Sequence, residues 1–155
     1  MKDDKKVSLW ELYLTKEIGI ELKACLYFFA ILLYYCCYRM FNGIFDASIL
    51  HMAILIFTCY FIGYIQVYLL WNFDEADSLG VKEICGMVLC TVLYCAVTWL
   101  CKMFDRNIPV TIGFGAYILL TYFCVFLIYK SKRRIDDKRL NEDLRLFQSN
   151  HKKSE

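Results

Sequence analysis

Four stretches of the chain are almost free of charge, and each is long enough to cross a lipid bilayer as a helix: residues 20–41, 47–71, 84–101 and 108–129. A crossing needs roughly 20 mainly apolar residues to span about 30 Å of hydrocarbon. The first stretch is built around ACLYFFAILLYYCCY, with Glu21 and Lys23 blurring its start. In the second, His51 and Gln66 are the only strongly polar side chains, and the third is the shortest. The fourth carries Pro109 in its first turn, where a missing N–H costs no helical hydrogen bond. A backbone in hydrocarbon must satisfy its own polar groups, so only helices or closed barrels cross a membrane. The alternating pattern of a barrel strand is nowhere visible. With 59% hydrophobic residues against 22% charged ones, the whole chain is more apolar than a soluble domain.

The connections predict how the helices pair. Residues 42–46 and 102–107 read as tight turns and residues 72–83 as a longer polar link, so neighbouring helices should run antiparallel. The expected fold is all-α: a polytopic membrane protein with an antiparallel bundle of four transmembrane helices and a C-terminal helix outside the membrane. Residues 1–19 form an amphipathic N-terminal segment, 20–129 the membrane domain and 130–155 a basic helical tail.

Charge placement predicts the orientation. Three basic residues, Arg39, Lys102 and Arg106, lie on one side of such a bundle, and all the other lysines and arginines lie on the side shared by both termini and the link 72–83. The positive-inside rule puts that richer side, and both termini, in the cytoplasm of a multi-pass cell-membrane protein. Trp71 and Tyr129 then fall at the inner boundary and Trp99 at the outer one. Neither a cleavage site nor a lipidation motif accompanies the ends, so the helices themselves are the expected anchor.

No catalytic, metal or cofactor set is expected. The nine cysteines contain no CxxC pair and no partner set of His and Asp, which removes the zinc and thioredoxin-like signatures. They read as small apolar residues inside helices, with a disulfide among Cys36, Cys37 and Cys101 left open. His51 and Gln66 are candidate intramembrane polar sites, because a polar group in hydrocarbon is expensive unless it faces the bundle or water. The plainer reading is an interhelical hydrogen bond. Gly113 and Gly115 read as helix contacts, or as the lining of a pathway. Asp74, Glu75 and Asp77 form a candidate acidic docking loop for a basic partner, against the plainer reading of a solvated turn in which Asp77 or Ser78 caps the third helix.

After Tyr129 no Gly or Pro stops the fourth helix, and Leu140, Leu144 and Phe147 recur at i, i+4, i+7. These three are the candidate partner-binding residues. The cluster Lys130, Lys132, Arg133 and Arg134 reads first as a positive-inside stop, and also as a contact with anionic lipid of the inner leaflet.

In order along the chain, Leu50-His51-Met52 at the opening of the second helix, Trp71 closing it, Tyr94 and Trp99 late in the third, and the basic stretch leading to Asn141 and Leu144 resemble a family of small bacterial four-helix membrane proteins. The family has no known function and is often encoded beside LytTR-type DNA-binding regulators. This chain departs from its pattern in Met52, where an aromatic is usual, and in its load of cysteine. The resemblance implies a regulatory or accessory role toward a cytoplasmic transcription regulator. It implies no catalytic residues and no direct contact with nucleic acid. The competing expectation, from another class, is a transporter or channel subunit acting as a homo-oligomer, with His51, Gln66 and residues 113–115 along its path.

Overall fold

The computed structural model describes residues 9–76 and 78–153. Four helices follow one another: α1 Leu9–Phe41, α2 Ile49–Tyr64, α3 Val81–Leu100 and α4 Ile108–Lys153. α2 continues through a wider π-helical turn, Ile65–Leu69, and a short 3-10 turn, Phe73–Glu75, lies in the link to α3. No strand occurs among the described residues, and all four helices are long and apolar enough to cross a membrane. The fold is an all-α four-helix bundle. Its tightest pairings are the hairpins α1 with α2 and α3 with α4, and sparser contacts of α2 with α3 and α1 with α4 close the ring.

Each helix turns one stripe inward. On α1, Ile20, Ala24, Tyr27, Ile31 and Tyr35 are buried at steps of three and four, the spacing that keeps side chains on one face. Phe114, Ile118, Tyr122 and Phe126 do the same on α4. Facing outward are Phe29, Leu33, Phe57 and Ile112, which would be a liability in water and suit contact with lipid tails. Aromatic rings fill much of the interior: Tyr27 meets Tyr122 at 4.7 Å, and Phe104 meets Phe114 at 5.2 Å.

The element ends differ from the sequence expectation in two places. α1 begins at Leu9, so the N-terminal amphipathic segment and the first span are one helix of 33 residues. α3 begins at Val81 and is 20 residues long, so it is not the short span expected. Its N-cap is Gly80, whose N–H donates to the Glu83 carboxylate at 2.9 Å; Ser78 does not cap it, and Asp77 lies outside the described residues. With no Gly or Pro to stop it after Tyr129, α4 runs from Ile108 to Lys153 without a break, 46 residues or about 69 Å at 1.5 Å per residue. Tail and fourth span are one rod.

Candidate functional site

The chain reverses after α2 by an uncommon route. In the π-helical turn each N–H reaches back five residues instead of four, which widens the helix and places Gln66 in the interior. The helix then closes with the Asn72 N–H donating to the Gln66 carbonyl at 2.9 Å, a reach of six positions, one more than the bond that ends many helices. Trp71 and Asn72 both adopt left-handed backbone, with φ of 51° and 54°. Asparagine tolerates that conformation, but tryptophan does so only when its surroundings impose it. The reversal throws Phe73, Asp74 and Glu75 back over the end of the bundle that carries both termini.

There the loop plugs the bundle. Phe73 is 2% exposed, its ring 5.3 Å from that of Tyr122. It lies so close to α3 that a Cβ at Gly86 would come within 2.7 Å of it. Asp74 is wholly buried and meets Lys23 of α1, itself 3% exposed, at 2.8 Å. The same ammonium lies 2.9 Å from the half-exposed Glu75, donates to the Asn72 side-chain oxygen, and sits 5.5 Å from the Tyr129 ring of α4. The Tyr27 hydroxyl reaches the other Asp74 oxygen at 3.4 Å. From α4, the Arg133 guanidinium donates to the Glu75 carbonyl. One loop is thus tied to α1 and to α4 by charge-assisted bonds.

Depth explains the arrangement. Lys23 lies 18 residues before Phe41 on α1, about 27 Å along the axis and so near one edge of the hydrocarbon. A lone ammonium turned into the bundle at that depth would be costly, and two carboxylates offset the cost. Burial by itself would raise the Glu75 carboxyl. The hydrogen bond and charge of Lys23, helped by Asn72 and Arg133, outweigh it and hold the group below the ordinary carboxylate value. Beside this cluster a cleft of about 460 Å³ opens between α1 and the loop, lined by Thr15, Lys16, Gly19, Lys23, Asn72 and Glu75 among others.

The acidic loop is therefore not the solvated turn of the plainer reading. Asp74 is committed to Lys23 within the chain, Glu75 is partly so, and Asp77 lies outside the described residues. Lys23 and Tyr27 were missed as site residues. Their trace in the sequence is phase: Lys23 belongs to the inward stripe of Ile20, Ala24 and Tyr27, where a surface lysine has no place.

The two polar candidates of α2 do not share a site. His51 stands near the opposite end of the bundle, its Nδ1 3.0 Å from the Tyr35 hydroxyl, an interhelical hydrogen bond. Gln66 is 15 positions further on, fully buried with its amide beside the Tyr27 hydroxyl, and neither amide atom meets a partner at good hydrogen-bond geometry among the described residues. Gly113 and Gly115 are packing points, with the Tyr34 hydroxyl 3.0 Å and the Cys95 sulfur 3.2 Å from where a Cβ would stand. All nine cysteines are free thiols, Cys36, Cys37 and Cys101 included. Leu140, Leu144 and Phe147 are exposed on the far part of α4, at 61%, 50% and 64%.

No protein-family model, no curated protein and no solved structure matches the chain.

Proposed function

We propose that this is a regulatory or accessory protein of the cell membrane, with both termini in the cytoplasm, whose fourth helix presents a docking face to a soluble partner. The observation that supports the reading most is the position of Leu140 and Leu144. Leu140 lies 11 residues beyond Tyr129 on the same unbroken helix, about 16 Å further along the axis. The polar layer of a bilayer adds only about 5–7 Å beyond the hydrocarbon on each side. With Tyr129 at the inner boundary, Leu140 and Leu144 would stand past the lipid, and both are exposed on the helix surface. With Phe147 they form the kind of i, i+4, i+7 stripe that helix-in-groove recognition uses.

The partner that suits this face has an apolar groove bordered by charges of both signs, because Arg139, Glu142, Asp143 and Arg145 flank the stripe. The family resemblance points to a LytTR-type transcription regulator held at, or released from, the membrane. Changing Leu140, Leu144 and Phe147 together to Ser should leave the bundle in the membrane and move the regulator to the soluble fraction. A regulator still retained by the triple variant, or a triple variant that loses only self-association, overturns the reading. The gene neighbourhood gives an independent check, since a DNA-binding regulator encoded alongside is expected.

A further inference from the structure

We propose that the bundle encloses a hydrated polar pocket, walled by Gln66, Tyr94 and Tyr122, whose polar surroundings continue only toward the end that carries the termini. Three side chains carry it. Gln66 and Tyr122 are 0% exposed and Tyr94 1%, and the Gln66 amide oxygen and nitrogen and both phenol oxygens complete no hydrogen bond within the described protein. Buried polar atoms are nearly always matched, by protein or by ordered water, because leaving them bare forfeits their hydration. Four unmatched atoms on three neighbouring residues are therefore one feature, not three accidents.

The atoms are close to one another. The rings of Tyr122 and Tyr27 lie 4.7 Å apart. Tyr94 lies within electrostatic reach of both tyrosines, and the Gln66 amide stands beside the Tyr27 hydroxyl. The other groups at hand are thiols, Cys59 beside Tyr94 and Cys90 beside Tyr122, and sulfur is a weak acceptor. The π-helical turn that brings Gln66 inward is itself a local departure from regular helix, of a kind often found at functional sites.

Chemistry selects the occupant. The wall is neutral, an amide and phenols that can each donate and accept, and the nearest ionised pair, Lys23 with Asp74, already satisfies itself at 2.8 Å. An ion would gain no counter-charge there. Aromatic rings packed at 4.7 and 5.3 Å around Tyr122 crowd the site, and water needs little room and uses two to four polar partners. On one side polar groups continue toward the end of the bundle that the loop closes. Tyr27 touches the pocket on one side and Asp74 on the other, at 3.4 Å, long for a hydroxyl bond to a carboxylate; Asp74 leads to Lys23, which lines the 460 Å³ cleft. In the other direction the path ends. Ile31, Leu55, Phe114 and Ile118, all 0–1% exposed, form an apolar layer between the pocket and the Tyr35–His51 pair.

Radiolytic hydroxyl labelling of the full-length protein in lipid nanodiscs tests this, because radicals generated from bound water mark the side chains next to it. Tyr94 and Tyr122 should label several-fold faster than Tyr35 and Phe114, which are equally buried. Tyr35 differs in having its hydroxyl matched by His51. In Gln66→Leu, labelling at both sites should fall to the Phe114 level; Tyr94→Phe, which preserves the ring, should do the same at Tyr122 if the leucine variant does not fold. Labelling of Tyr94 and Tyr122 no faster than Phe114 in the native protein, with surface residues marked normally, overturns the proposal. Labelling that persists unchanged in a folded Gln66→Leu or Tyr94→Phe variant overturns it as well.

Discussion

Lys23 and Asp74 face each other across 2.8 Å with 3% and 0% of their side chains exposed, so removing Lys23 strands the Asp74 charge in the bundle. Lys23→Met should destabilise the protein by about 3–5 kcal/mol, measured by unfolding in mixed micelles. The double variant Lys23→Met/Asp74→Leu should recover most of that loss, because an apolar pair of similar volume is often no worse than a buried ion pair. A double variant as unstable as Lys23→Met would mean that the ion pair does more than satisfy itself. Gly86 makes a second residue-scale case. A methyl group there would stand 2.7 Å from the Phe73 ring, and Gly86→Ala should cost about 1–3 kcal/mol through overpacking. Gly19 is the matched control, with nothing within 4 Å of its Cβ position. Gly19→Ala should instead stabilise α1 by up to about 1 kcal/mol in the same assay.

At the scale of elements, the loop 72–76 behaves as a clasp between α1 and α4, and its hold depends on the charge of Glu75. That carboxyl is held below its ordinary value in the folded protein. Its contribution is complete above the unfolded value of about 4.3 and is lost as pH falls through the lower folded value. Thermal unfolding in nanodiscs should therefore show a loss of stability on acidification that is smaller in Glu75→Gln. Equal acid sensitivity in the two proteins would mean that Glu75 is not part of the clasp. The elements themselves were largely legible in the sequence, since a charge-free run of some 20 residues admits almost no structure other than a spanning helix. The clasp was not. Local pattern shows that Asp74 and Glu75 are acidic and lie between helices, but not that two left-handed residues at 71 and 72 fold them inward. For the same reason Gln66 and His51, both expected to matter, were not separable until the bundle placed one against Tyr27 and the other against Tyr35. The start of α3 was misplaced because Gly80 and Glu83 share the capping role, and a glycine carries no side chain that announces a cap.

For the whole molecule, the decisive dimension is the length of α4. It pairs with α3 inside the membrane domain, bonds through Arg133 to the clasp at the edge, and continues to Lys153 with no Gly or Pro after Gly115. Pulsed spin-resonance distances between labels at Ser78 and Asp143, with exposed cysteines replaced, should form one narrow distribution. Asp136→Pro, placed after the clasp and before Leu140, should broaden it and weaken retention of the proposed partner while leaving the bundle folded, because proline in a helix interior removes a hydrogen bond and kinks the axis. A narrow distribution that survives Asp136→Pro would mean that something other than helical continuity holds the tail.

An unjointed rod that is gripped at one end has leverage. The part of α4 past Tyr129 is 24 residues long, about 36 Å. A tilt of about 10°, well within the spread seen for membrane helices, would sweep its tip sideways by about 6 Å. Changes in bilayer thickness or tension that tilt α4 within the hydrocarbon would thus be carried out to Leu140 and Leu144, with the clasp acting as the fulcrum.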